Sequence, residues 1–183
     1  MGRLPDSPFE VRLAVTSFLL VMGLAEVFGG LQVRNFAAFS PAGVAATVAR
    51  TEQSTSGGRV AEGETPIDPA ALNSQRHRIG RELLIQDSHV HIPAYALTAA
   101  VLAVIVIGLD LSSRWRSCLI AIAFAAPVLD FAGLWTAHLF PACALVGGLA
   151  ALVGGFSMGL VYLVVLVLAL KQSWLRPKGE THA

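Results

Sequence analysis

Apolar residues run almost unbroken through four stretches, 13–33, 92–109, 117–139 and 142–170, with polar sequence confined between and around them. Each is close to or above the ~20 residues that a bilayer core requires. Inside lipid a segment must satisfy its own backbone polar groups, so each run predicts a helix. The fourth run is long enough to tilt or to extend beyond the bilayer. Asp110–Arg116 is a short connection, and so is His138–Ala142 with Pro141. Spans two and three, and then three and four, therefore form antiparallel hairpins. The expected fold is all-α: an integral membrane four-helix bundle, one domain over residues 1–183.

Residues 34–91 form the one sizeable extramembrane segment. Ser40-Pro41 carries an N-cap hydroxyl followed by proline at the first helical position, which predicts a short helix to about Arg50. Residues 51–65 are rich in Ser, Thr, Gly and Glu and read as irregular. Asp68-Pro69 repeats the N-cap signal. Leu72, Ile79 and Leu83 then share a helical face, flanked by Arg76, Arg78 and Arg81. This second helix reads as an amphipathic connector along the membrane surface.

Composition agrees: 55% of the chain is hydrophobic and 14% is charged, against about 25% charged in soluble domains. A net charge of +1 argues against a nucleic-acid partner. The expected partners are the lipid bilayer and other membrane subunits. Cys118 and Cys143 open the third and fourth spans at opposite faces, so they do not pair. Arg3, Arg12, Arg114, Arg116, Lys171, Arg176 and Lys178 flank one side, and the hairpin between spans three and four carries no Arg or Lys. This bias predicts cytoplasmic termini in a bacterial inner membrane. The six arginines of the long loop are spread too widely to oppose it. A competing reading takes 13–23 as a signal peptide cleaved near Gly23-Leu24-Ala25. Asp6 and Glu10 in the leading segment, and apolar sequence up to Val33, count against it.

Two carboxylates interrupt the spans at matching depths. Glu26 follows Arg12 by fourteen positions and precedes Arg34 by eight; Asp130 follows Arg116 by fourteen and precedes His138 by eight. No Lys or Arg lies within any span. An ionisable group at the bilayer centre costs about 2.5–3.5 kcal/mol, so both acids are candidate functional groups. The structural alternative is a protonated acid hydrogen-bonded to Thr98 or to a backbone carbonyl.

Hairpin geometry brings His89, His91 and His138 to one outer level, with Tyr95 and Thr98 descending towards the acids. His89-x-His91 has two geometries. On a continuous helix the two rings are about 200° apart. On an extended lead-in, favoured by Pro93, they share a face and could share a metal. Imidazole with carboxylate suits zinc, copper or iron, and imidazole pairs suit b-type haem. Interfacial histidines are often merely solvated, Trp135 reads as an interfacial anchor, and Tyr95 fits an aromatic belt equally well. Gly147, Ala151, Gly155 and Gly159 repeat small residues every fourth position and predict close helix packing.

The Asp87-Ser88-His89-Val90-His91 lead-in and the stretch Asp130-Phe131-Ala132-Gly133-Leu134-Trp135 resemble uncharacterised small bacterial four-span membrane proteins. In those, an H-x-H opens helix two and D-F-x-G-x-W lies in helix three. Locally, the H-x-H is also similar to that of haem–copper oxidase subunits, whose histidines bind haems on opposite helix faces. The leading expectation is a small subunit holding a metal ion or haem b near the outer face, accessory to a redox complex. His89, His91 and His138 would be ligands, with Glu26, Asp130, Tyr95 and Thr98 orienting them or carrying protons. A cofactor-free scaffold subunit and a proton- or cation-coupled transport element are the alternatives. Motifs for covalent haem, phosphate-binding loops and zinc proteases do not occur. The Gly-rich stretch around Ser157 lies within a span, which argues against a hydrolase nucleophile elbow.

Overall fold

The computed structural model describes residues 3–48 and 79–175. Its long elements are α1 (Phe9–Ala37), α2 (Pro41–Val48), α3 (Arg81–Gly108), α4 (Ser113–Leu139) and α5 (Ala144–Trp174). Single 3-10 turns stand at Leu4–Asp6 and Pro141–Cys143. Among the described residues there is no strand. Helices α1, α3, α4 and α5 are each long and apolar enough to cross a membrane. The protein is an all-α membrane bundle with a helical segment between its first two spans. Cys118 and Cys143 are free.

Close packing centres on α4 and α5. A Cβ at Gly133 would strike the backbone of Gly147 and Ala151, and one at Gly154 would strike that of Ala126 and Asp130. Without a hydrophobic drive between helices in lipid, this backbone approach supplies the van der Waals contact that holds them. The row expected every fourth residue is only partly used. Gly147 and Ala151 meet α4, but Gly155 has open space beside it and Gly159 faces Glu26 instead. The reason is helical phase. Four-residue steps overshoot a turn by about 40° each, so the row winds away from the seam. The buried line runs Gly147, Ala151, Gly154, Met158, Val161, Val165 and Ala169.

The outer spans lean on this pair, α3 on α4 and α1 on α5. Helix α1 buries only Leu19 and Ala37, and its remaining apolar surface is free for lipid. The Tyr162 hydroxyl donates to the Leu19 carbonyl and ties α1 to α5.

Ala38 and Phe39 both take left-handed φ, 49° and 51°, and reverse the chain after α1. Ser40 then caps α2 as expected: the Gly43 N–H donates to its Oγ at 3.0 Å. Val44, Ala45 and Val48 are buried, and α2 lies across α5, with the Pro41 carbonyl against Gly148. The Ile79 N–H donates to the Thr47 carbonyl at 2.7 Å, so the chain returns beside the point where it left α2. Most of the second predicted loop helix, 68–78, lies outside the described residues, as do Arg50 and residues 51–65.

The extended lead-in at His89–His91 is not what forms. Helix α3 runs unbroken from Arg81 through Pro93. Proline removes one N–H but leaves the chain free to continue as a helix where other groups meet the freed carbonyl, and within a bilayer helix is the default.

At the opposite end, Arg12 Nη1 donates to the Ser173 carbonyl at 2.8 Å, and its guanidinium stacks 5.1 Å from the Trp174 ring. Trp174 Nε1 donates to Thr16 Oγ1 at 3.0 Å. Arg116 donates twice to the Leu111 carbonyl, at 3.1 and 2.9 Å, and secures the α3–α4 turn.

Candidate functional site

Helical spacing sets one polar face of α3. Asp87, His91 and Tyr95 are four residues apart, hence stacked on one side. His91 Nδ1 lies 3.5 Å from Asp87 Oδ1. The His91 and Tyr95 ring centroids are 6.2 Å apart, and Tyr95 packs edge-on against Phe131 of α4 at 6.0 Å. Half-buried Thr98 follows one turn deeper.

The two membrane carboxylates stand on other helices, Asp130 on α4 and Glu26 on α1. Asp130, half-buried on α4, directly precedes Phe131, whose ring Tyr95 meets. From α1, the Glu26 carboxylate reaches α5, with Oε2 3.7 Å from the position a Cβ would take on Gly159. Asp130 thus lies next to the ring that Tyr95 meets, while Glu26 lies against α5.

Below this cluster the interior turns aliphatic. Leu19, Ala99, Leu102, Ile105, Val106, Leu119 and Ala123 are buried there with Val161 and Val165. The polar face leads in from one side of the membrane only.

The histidines divide between three environments. His91 joins the polar face. His89, two residues earlier on a continuous helix, faces away and lines a shallow groove with Ile85, Ser88, Ile92, Pro93 and Trp135. His138 is buried, 4% exposed, and its Nδ1 donates to the Val48 carbonyl at 2.7 Å. Its ring also meets Trp135 edge-on at 6.0 Å. His138 thus pins α2 to α4. Among the described residues no three His, Cys, Asp or Glu side chains are gathered as a metal ion would need. The residues present do not fit a shared His89–His91–His138 metal centre, because helical phase and the Val48 bond send the rings to different neighbours.

Residues 73–180 match a family of transmembrane helical domains. The chain belongs to this family. The matched region takes in α3, α4 and α5, so the family's domain contains Asp87, His91, Tyr95 and Asp130, whereas Glu26 on α1 lies outside it. No curated protein and no solved structure matches the chain.

Several structural partners carry no sequence motif. Ser88 donates to the Leu84 carbonyl at 2.7 Å and accepts from Trp135 Nε1 at 2.9 Å, joining α3 to α4. Trp135 is thus a cross-helix tie as well as an aromatic near the boundary. Tyr162 and Gly154 also act through single partners on other helices. Their signal would have been the period of the α5 seam, which places both on its inner side.

Proposed function

We propose that this chain is a small integral membrane subunit that conducts protons from the His138 side of the membrane to Asp130 and Glu26. Asp87 and His91 would exchange protons with water at the surface. Tyr95 would relay them to the two membrane acids. The aliphatic layer beneath closes the way, so the protons would pass sideways to a partner membrane subunit. Bacterial inner membrane and cytoplasmic termini are part of the same proposal, supported by the Arg and Lys distribution.

The observation that carries this reading is the stack of Asp87, His91 and Tyr95 on one face of α3, with Tyr95 packed against Phe131 next to Asp130. All three groups can both give and take a proton. The metal or haem reading has less support, since the three histidines face different neighbours. The scaffold reading explains the α4–α5 seam but gives no reason for two acids within the spans.

Carbodiimide labelling in nanodiscs tests it, because the reagent attacks protonated carboxyls in apolar surroundings. Peptide mass spectrometry should find Glu26 and Asp130 modified at low pH and spared at high pH. Labelling that ignores bulk pH would overturn the proposal.

A further inference from the structure

A second site lies at the Arg12 end, on the lipid-facing side of the α4–α5 pair. There Leu111, Trp115, Cys118, Leu119 and Ile122 of the turn and α4 face Leu160, Val161, Val164 and Leu168 of α5, with Ser157 at the deep end. They enclose a groove of about 420 Å³. From Leu168 to Ser157 it runs eleven residues along α5, about 16 Å. That is roughly one leaflet of a ~30 Å hydrocarbon core.

The mouth of this groove is built differently from its walls. Leu111 and Trp115 bracket the start of α4, and Ser112 supplies no side-chain cap to the first N–H groups. Those groups carry the partial positive charge of the helix terminus and suit an anion. Arg114 precedes Cys118 by four residues and so stands over the same helical face. Among the described residues it makes no ion pair. Arg116 fixes the turn through its two bonds to Leu111, which keeps the mouth in shape. Trp115, 65% exposed, stands where an aromatic ring meets the headgroup layer.

We infer that this groove holds one anionic phospholipid, with an acyl chain along α5 and its phosphate at Arg114 and the start of α4. Charge complementarity selects the occupant. The walls are apolar to leaflet depth, and Arg114 and the uncapped start of α4 stand beside the mouth. This site is independent of the polar face of α3.

Native mass spectrometry of the full chain, with phosphatidylglycerol or phosphatidylcholine added to detergent micelles, tests the inference. Wild type should retain one phosphatidylglycerol in preference to phosphatidylcholine. Arg114→Gln should weaken phosphatidylglycerol retention roughly tenfold, the usual size for losing one charge-assisted hydrogen bond. It should leave phosphatidylcholine retention unchanged. Ile122→Trp, which fills the groove, should lower retention of both. Circular dichroism melts would confirm that the variants fold, and Arg114→Gln at an exposed position keeps the test open if Ile122→Trp does not. Equal retention of the two lipids by wild type, or equal phosphatidylglycerol retention by wild type and Arg114→Gln, would overturn it. So would a lipid-free dimer closing over the groove.

Discussion

His91 sits one helical turn beyond Asp87 with its Nδ1 3.5 Å from the carboxylate, and one turn before Tyr95, whose ring centre is 6.2 Å from its own. The spacing makes His91 the middle member of the stack, between a surface acid and a phenol within the span. Both His91 and Asp87 are partly exposed, so their attraction adds little stability. Replacing His91 with Ala should therefore change melting by no more than the scatter of surface substitutions, within ~0.5 kcal/mol. A large loss of stability would assign His91 a packing role instead.

His138 differs in kind. Its buried ring satisfies the Val48 carbonyl, so His138→Ala leaves that acceptor unpaired at a cost of ~1–3 kcal/mol. Hydrogen exchange should accelerate in α2 before it does in α4 and α5. Unchanged protection across Val44–Val48 would show that the bond does not hold α2.

The α5 seam gives a paired test. Gly154→Ala forces a methyl into the Ala126–Asp130 backbone and should destabilise by ~1–3 kcal/mol or more. Gly155→Ala, one residue on, meets open space and should be neutral or stabilising by up to ~1 kcal/mol through helix propensity. Thermal melts in one detergent would compare the two. Equal effects would contradict the assigned phase of α5.

These contrasts also mark how much could be read from residues alone. The four spans, the two hairpins and the capped helix after Ser40 follow from apolar length and turn chemistry, which are local. The similar depths of Glu26 and Asp130 were legible because both lie fourteen residues beyond an arginine at the start of spans that run in the same direction. Helical phase was harder. Pro93 suggested a break that tertiary packing and the bilayer override, and a strict four-residue row hid the winding that turns Gly155 outward. The Val48 acceptor of His138 is a backbone atom, and no side-chain pattern announces it.

Topology is checked separately. Single cysteines introduced at Ser54 and at Arg3, in a background lacking Cys118 and Cys143, should label from opposite sides of the membrane. Labelling of both from the same side would show that α1 does not cross the membrane.

Time-resolved infrared spectroscopy after a pH jump, with wild type and His91→Ala in nanodiscs, tests proton delivery most directly. The carboxyl bands should be assigned by their loss in Glu26→Gln and Asp130→Asn. In wild type those bands should rise and fall reversibly with bulk pH. In His91→Ala they should reach the same end point more slowly, by roughly the 10²–10⁴-fold that a positioned proton-transfer group supplies. Bands that ignore bulk pH, or that respond at the same rate without His91, would contradict proton delivery along α3.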